Sequence, residues 1–440
     1  MSKLVELVIA SSLLTIVTGC SREPDVPNPP KTQTFATDAS LPSSDASFWP
    51  CFHGPKGDNI STDTGLLKKW PDDGPTLVWA TEGIGDGFSG VVLAHGMIYT
   101  DGNIGDQTTI TAMDLGGNVL WQEPNGPAWT QSHPGSRGTP TIDGDRLYHE
   151  SPTGNLICLD AKKGDKIWSL NILDEFDAKN IGWGLAESVL VDGDRVICCP
   201  GGKKAAVVAL DKTSGKPIWT TPGTGNAAAH ATAALAECEG LRVILAMTAK
   251  SLIGVRADTG ELLFQHEHIT KHDVNATTPV YHDGHIFITS GYGTGSEMLK
   301  LTVQGDKASV ERVWKCKELD NHHGGVVLLD GYIYGCSARG RWMCLDWKSG
   351  EIKYSDKGVG KGSLTVADGM LYTLSERNKM GLVRATPDAH VVVSRFDVPS
   401  GGSAESWAHP VVCGGRMYLR HSDKLYAYDV KAEDKEIVTK

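Results

Sequence analysis

Two stretches of this chain decide its fold: TPTIDGDRLYHESPTGNLICLDAKKGDKIW at 139–168 and SVLVDGDRVICCPGGKKAAVVALDKTSGKPIW at 188–219. Each contains four short strand-like runs that are separated by turn residues, and each ends in a tryptophan. The same order of features recurs along the chain at intervals of 38 to 49 residues. Four strands in a repeat of this length are typical of the blades of a β-propeller.

The repeats can be counted at the turn between their first two strands. Asp-Gly and Gly-Gly pairs suit a tight hairpin because a positive φ costs glycine nothing and aspartate little. Eight such turns occur, at His95-Gly96, Asp143-Gly144, Asp192-Gly193, Glu239-Gly240, Asp283-Gly284, Asp330-Gly331, Asp368-Gly369 and Gly414-Gly415. The matching aromatic residues of the fourth strands are Trp121, Trp168, Trp219, Phe264, Trp314, Tyr354 and Phe396.

The two ends of the repeat array are incomplete. The last repeat, 409–430, has no aromatic outer strand of its own, and Trp79 lies before the first complete repeat. We therefore predict an all-β, eight-bladed β-propeller of four-stranded antiparallel blades, closed by the N-terminal strand around Trp79, which completes the blade that begins at His409. Such closure removes exposed sheet edges, which otherwise promote aggregation.

The outer-strand segments carry a family resemblance. ALDKTSGKPIW (209–219) resembles the tryptophan-docking motif of quinoprotein alcohol dehydrogenase-like propellers, and 159–168 and 255–264 are looser copies. The segment 48–79 resembles the opening of bacterial secreted proteins with PQQ-like repeats, usually W-P-Q-F-R-G-P, with Cys51 and His53 in place of Gln and Arg. The resemblance covers residues 76–430. It implies a propeller with tryptophans packed between blades, in a superfamily that includes PQQ-dependent alcohol dehydrogenases and BamB-like outer-membrane assembly lipoproteins.

The N-terminus reads as a bacterial lipoprotein signal. An apolar run ends in Val-Thr-Gly-Cys at 17–20, which matches a lipobox, so Cys20 is the predicted lipidation site. The alternative is an ordinary cleaved signal with a coincidental cysteine. Residues 21–47 are rich in Pro, Ser, Asp and Thr, as in an unstructured tether. The predicted organisation is a signal peptide at 1–19, a tether at 20–47, the propeller at 48–434 and a tail at 435–440. The predicted location is the cell envelope, on the outer membrane facing the periplasm.

Charge and cysteine usage narrow the possible functions. A formal net charge of −11 without any Lys/Arg tract argues against a nucleic-acid partner. Cys158 and Cys344 occupy the same repeat position, as expected for small core residues. Cys198 and Cys199 are either two buried thiols or a vicinal disulfide like that of some PQQ dehydrogenases. Neighbouring side chains of a strand point to opposite faces, which favours two thiols.

The residues that precede the first strand of each repeat form a second pattern. In a propeller these strands line the central axis, so their starts should meet at one mouth of the channel. The predicted ligand- or partner-binding mouth contains Arg137, Trp183, Glu187, His230, Asn275, His322, His323, Lys361, Trp407 and His409. Arg137 and Lys361 would attract an anionic group, and Trp183 and Trp407 would offer stacking area. The alternative is a merely solvated rim.

Three functions fit these features. The first is a lipid-anchored envelope propeller that binds or scaffolds, without catalysis, an envelope protein or a small anionic ligand. In that case no catalytic residue, metal or cofactor is expected. His322 and His323 are adjacent and diverge, with no spaced His/Cys/Asp set beside them, so they do not predict a metal site. The alternative is a quinoprotein dehydrogenase that uses PQQ and calcium to oxidise alcohols or sugars. A third is a propeller hydrolase or a lectin-like glycan binder.

Overall fold

The computed structural model describes residues 29–36, 41–43 and 47–432, which form a ring of eight antiparallel sheets. Before the first blade lie β1 (Lys31–Thr34) and β2 (Leu77–Glu82). Blade 1 contains β3 (Val92–Ala94), β4 (Met97–Ile104), β5 (Gln107–Asp114) and β6 (Val119–Pro127). Blade 2 contains β7 (Thr141–Asp143), β8 (Arg146–Glu150), β9 (Asn155–Asp160) and β10 (Lys166–Asn171), followed by helix α1 (Ile172–Glu175). Blade 3 contains β11 (Leu190–Asp192), β12 (Arg195–Cys198), β13 (Val208–Asp211) and β14 (Pro217–Thr220).

The second half of the ring repeats this order. Blade 4 contains β15 (Ala234–Cys238), β16 (Leu241–Met247), β17 (Ser251–Arg256) and β18 (Leu262–Glu267). Blade 5 contains β19 (Val280–His282), β20 (His285–Ser290), β21 (Gly295–Gln304) and β22 (Lys307–Cys316). Blade 6 contains β23 (Val326–Leu329), β24 (Tyr332–Cys336), β25 (Trp342–Asp346) and β26 (Ile352–Asp356). Blade 7 contains β27 (Gly362–Ala367), β28 (Met370–Ser375), β29 (Lys379–Arg384) and β30 (Val392–Asp397), and blade 8 begins with β31 (Val411–Cys413), β32 (Arg416–His421) and β33 (Lys424–Asp429).

The ring closes at blade 8, as the sequence predicts. Strand β2 pairs antiparallel with β33, with Trp79 opposite Ala427, so an N-terminal strand completes the last blade. The predicted eight-bladed propeller and its closure are therefore confirmed.

Strand β1 then pairs with β2 and adds a fifth strand to this sheet. Residues 31–34 fall inside the segment predicted as a tether, so that prediction is wrong for this stretch: the free edge of β2 offers main-chain partners that composition does not reveal. Cys20, the signal peptide and the tail at 435–440 lie outside the described residues.

The hairpin turns differ in one detail from the prediction. In blades 2 and 3 the turn residues are Gly144-Asp145 and Gly193-Asp194, one position later than predicted, and Asp143 pairs with Arg146 at the end of the strand. Gly144 has φ +55° at the first turn position, as in a type II′ turn. In blade 1, by contrast, His95 and Gly96 both have positive φ, as in a type I′ turn.

Tryptophans on outer strands lock neighbouring blades together. In each case the indole N–H donates to a main-chain carbonyl of the next blade, as from Trp79 to Leu115 at 3.1 Å and from Trp219 to Ala257 at 3.2 Å. A glycine of the next blade lies under the ring. A Cβ built on Gly117 would come within 2.7 Å of the Trp79 ring, so only glycine permits this contact.

The core is distributed between blades instead of forming one centre. Cys158 and Cys344 are buried on their third strands, as predicted. Cys198 packs in the cluster between blades 2 and 3, whereas Cys199 packs with residues of blade 4. Both are free thiols.

Within the described ranges, no helix has the length and apolar character needed to cross a bilayer.

Candidate binding site

A segment that precedes the blades crosses the central channel. We call residues 49–61 the axial segment. Its first residues pair with blade 1, where Trp49 N–H donates to Leu93 O at 2.8 Å and Leu93 N–H returns the bond at 2.9 Å. Its last residues pair with blade 7, where Ser61 N–H donates to Val366 O at 2.7 Å. The segment therefore connects the inner strands of blades 1 and 7, which are hundreds of residues apart in sequence.

The axial segment divides the channel into two cavities. The larger, of about 680 Å³, contains inner-strand residues of blades 2 to 6 and the turn residue Gly193. The smaller, of about 210 Å³, is the mouth pocket, and Phe52 borders both cavities. The mouth pocket is lined by Phe52, Phe88, His133, Arg137, Trp183, Ala186, Ser188, His230, Thr232, Val274, Ala276, Tyr292, His322, His323, Trp407 and His409.

Aromatic rings form the walls of the mouth pocket. On one side Phe88 lies with its ring centroid 4.7 Å from that of Trp407. On the other side the Trp183 and His230 ring centroids are 6.1 Å apart. At the base, Phe52 lies 4.8 Å from His409. Rings in these positions offer flat apolar faces for stacking.

The guanidinium of Arg137 is a positive charge in the pocket that is not paired with a carboxylate of the described residues. Arg137 donates to three main-chain carbonyls, those of Ser132, His133 and Gly135, at 2.7 to 3.3 Å. Its guanidinium carbon lies 5.4 Å from the centre of the Phe88 ring. Within the described part of the chain it has no carboxylate partner. Burial lowers the pKa of Arg137 to about 10, so the group stays charged at neutral pH.

The other predicted cation is neutralised beside the pocket. Lys361 donates to an oxygen of Glu376 at 2.7 Å, and the same oxygen accepts from His323 Nε2 at 2.8 Å and from Trp407 Nε1 at 2.9 Å. Burial alone would raise the pKa of Glu376, but the bonds from His323 and Lys361 outweigh it and lower the pKa to about 2. One carboxylate thus holds mouth residues of blades 6, 7 and 8 in fixed orientations.

Three histidines of the pocket, His230, His322 and His409, are neutral at physiological pH. Burial lowers the pKa of His230 and of His409 to about 4, and that of His322 to about 3. His409 Nε2 donates to the main-chain oxygen of His323 at 2.9 Å, which leaves its Nδ1 as an acceptor. Nδ1 of His230, His323 and His409 is buried without a hydrogen-bond partner among the described residues.

Seven of the ten predicted mouth residues line one pocket: Arg137, Trp183, His230, His322, His323, Trp407 and His409. Lys361 lies beside it on Glu376. Glu187 and Asn275 do not line it and are buried behind the wall. The reason is strand alternation: Ala186, Val274 and Ala276 face the pocket, so the residues next to them point away.

The prediction missed several pocket or support residues, among them Phe52, His133, Tyr292 and Glu376. Tyr292 and Glu376 follow the second strands of blades 5 and 7. Because antiparallel strands alternate in direction, the loop after a second strand returns to the mouth at which the first strand starts. Aligning those loops as well as the strand starts would have found both residues. No periodic signal points to Phe52, which reaches the pocket through the axial segment.

Comparison with known proteins places the fold in a family. The family profile described as outer membrane protein assembly factor BamB matches residues 106–356. The curated BamB of Xanthomonas campestris is 26% identical over 153 residues, a match that covers 34% of this chain and 32% of that protein. This chain therefore matches about a third of the length of its curated relative.

Solved structures agree on the architecture. BamB from Moraxella catarrhalis superposes with a TM-score of 0.59 and 15% identity, over 81% of this chain and 98% of that one. The quinohemoprotein alcohol dehydrogenase from Comamonas testosteroni gives a TM-score of 0.59 and 11% identity, over 89% of this chain and 82% of that one. At these identities the likeness concerns the fold. Since the family profile spans more than half of its length, this chain belongs to the BamB family of propellers with PQQ-like repeats.

Proposed function

We propose that this chain is a non-catalytic binding protein of the bacterial cell envelope, lipid-anchored at Cys20, which recognises its target at the mouth pocket. The observation that carries the proposal is the pocket itself, with aromatic walls, neutral histidines and one guanidinium without a carboxylate partner. Concave, mostly apolar sites with a few converging polar groups are typical of ligand binding. The description of the family profile, outer membrane protein assembly factor, supports an envelope location and an envelope protein as partner.

The contacts of the polar residues support binding over catalysis. His323 donates to Glu376, and His409 donates to a main-chain carbonyl, so both imidazoles are held by structural bonds. Catalytic bases usually have a pKa near the working pH, whereas burial lowers the pKa of His230 and His409 to about 4. These imidazoles are better placed to orient a ligand than to accept a proton from one.

The residues of this chain do not fit PQQ with calcium, the cofactor of the related dehydrogenases. Asn275 has the right type for a calcium ligand, but its amide N–H groups donate to the main-chain oxygens of Thr248, Ala249 and His268 and its oxygen accepts from Ser290. Glu187 is 3% exposed and accepts from the Cys199 N–H at 2.8 Å. Among the described residues, no group of three or more His, Cys, Asp or Glu is arranged around a metal position. PQQ also carries three carboxylates, whereas the pocket has one unpaired cation.

Site-specific photo-crosslinking in envelope membranes tests the proposal. A photoreactive phenylalanine analogue replaces Tyr292, which is 43% exposed and lines the mouth pocket. The matched position is Asp194, whose side chain is 71% exposed in a turn at the opposite end of the channel. We expect a discrete protein adduct from position 292 and none from position 194.

Two results would contradict this proposal. Adducts from position 194 alone would move the binding face to the other end of the channel. Dye reduction with an alcohol or a sugar, dependent on added PQQ and calcium, would replace the binding function by the dehydrogenase.

A further inference from the structure

The mouth pocket limits its ligand first by size. Its volume of about 210 Å³ is below the roughly 300–1,000 Å³ of pockets that hold drug-sized molecules. The rings of Trp183 and Trp407 both line the pocket, the first beside His230 and the second beside Phe88. A molecule of one ring or two fused rings therefore suits the space, and a flat one gains most from the aromatic faces.

Charge is the second limit. Arg137 is held by main-chain carbonyls, and a guanidinium has five N–H donors, so two remain after its three bonds. The charge of Lys361 is already balanced by Glu376 at 2.7 Å. A single carboxylate satisfies Arg137, whereas a second negative charge in the same small pocket would have no counterpart.

Hydrogen-bonding capacity is the third limit. Lys361 Nζ lies 3.2 Å from His322 Nδ1 and donates to it, so the proton of His322 is on Nε2. His323 donates through Nε2 and therefore keeps a lone pair on Nδ1, which has no partner in the described residues. Nδ1 of His409 keeps a lone pair for the same reason, because its Nε2 donates to the main-chain oxygen of His323, and Nδ1 of His230 also has no partner in the described residues. A ring hydroxyl or N–H on the ligand would satisfy one of these acceptors.

We propose that the mouth pocket binds a small, free aromatic monocarboxylate that carries a hydrogen-bond donor on its ring. Its carboxylate pairs with Arg137, and its ring lies against Trp183, Phe88 and Trp407. This inference rests on the proposed function, because it names the ligand class of the same site. The pairing is a charge-assisted hydrogen bond in a partly buried position, where such bonds are strong.

Quenching of tryptophan fluorescence tests the inference with purified protein, since Trp183 and Trp407 line the pocket. The probe is 4-hydroxybenzoate. Its neutral isostere 4-hydroxybenzamide, the non-aromatic cyclohexanecarboxylate and the dianion terephthalate are the comparison ligands. We expect saturable binding of 4-hydroxybenzoate, with each comparison ligand weaker by about tenfold or more. Arg137→Gln should weaken the binding of 4-hydroxybenzoate by about tenfold. The variant should then bind 4-hydroxybenzoate no more tightly than 4-hydroxybenzamide. Arg384→Gln, an exposed arginine on β29, is the matched control and should bind as the parent does.

Two outcomes would overturn the inference: no saturable quenching by 4-hydroxybenzoate at millimolar concentration, or unchanged binding in Arg137→Gln. Either result, together with crosslinks from position 292, would reject this ligand class and leave the proposed function standing. Tight binding of 4-hydroxybenzoate without crosslinks from position 292 would support the ligand and reject a protein partner at the mouth.

Discussion

At the scale of single residues, two buried carboxyl groups with few hydrogen bonds lie behind the mouth pocket, between blades 2 and 3. Glu150 and Glu187 are both buried, and three of their four carboxyl oxygens have no hydrogen-bond partner in the described residues. Burial, followed by repulsion from Glu187, raises the pKa of Glu150 well above its usual range. Burial raises the pKa of Glu187 to about 7, although bonds from Cys199 partly oppose this. The native state therefore holds these protons more tightly than the unfolded chain does.

The pair predicts a loss of stability as pH rises. When the native pKa exceeds the unfolded value, the native state binds more protons, so the free energy of unfolding falls between about pH 4.5 and pH 7. Glu150→Gln removes one titrating group, and the glutamine side chain has nearly the same size and shape as the glutamate that it replaces. We expect the free energy of unfolding of this variant, measured by denaturant unfolding relative to the parent, to rise from pH 5 to pH 8, because the parent alone loses the stability that comes with the raised pKa of Glu150.

A buried glutamate with the opposite pKa shift is the control. Burial raises the pKa of Glu297, but hydrogen bonds from His266 and Lys315 outweigh it and lower the pKa to about 2. Its charged form is stabilised by folding, so Glu297→Gln should be less stable than the parent at both pH values. If Glu150→Gln shows no gain at pH 8 over pH 5, the carboxyl of Glu150 is not buried as described.

At the scale of elements, the contact between an outer-strand tryptophan and a glycine of the next blade decides how the ring closes. Gly117 has φ +84°, and an added Cβ would lie 2.7 Å from the Trp79 ring on closing strand β2. Gly117→Ala therefore combines backbone strain with a clash against a buried ring. We expect a loss of about 2–4 kcal/mol, measured by denaturant unfolding.

Gly331→Ala separates the two effects. Gly331 has φ +81°, but an added Cβ meets nothing within 4 Å. This variant should show only the backbone cost of about 1–2 kcal/mol. Equal stability of the two variants would mean that the Trp79 ring does not rest on Gly117.

These elements also show what the sequence can predict. The repeat gives the blades, the closing strand and the docked tryptophans, because each depends on local spacing and on a turn. It does not give the axial segment, because the contact between Ser61 and Val366 joins parts of the chain that share no period. The repeat pattern predicts Glu187 and Asn275 inside the mouth pocket, whereas both lie behind its wall. Adjacent residues of a strand point to opposite faces, so an error of one position reverses the predicted direction of a side chain.

At the scale of the whole molecule, the attachment of the propeller to a membrane is the main prediction. The Val-Thr-Gly-Cys sequence at 17–20 predicts lipid on Cys20. Several acyl chains hold a protein firmly, because each buried methylene contributes about 0.8 kcal/mol. Cys20→Ser should therefore release soluble, folded protein, as measured by fractionation after a carbonate wash. Retention of Cys20→Ser on the membrane, in the same amount as the parent, would rule out this anchor.

Strand β1 gives the molecule a mechanical property. It is held by four residue pairs, from Lys31 opposite Glu82 to Thr34 opposite Trp79, on the outer edge of the closing strand. A force applied to the N-terminal end of the chain reaches these pairs before it reaches the axial segment or the blades. We therefore expect strand β1 to detach first under such a force, because only these pairs and a few neighbouring hydrogen bonds hold it, while β2 stays hydrogen-bonded to β33 and the ring remains closed.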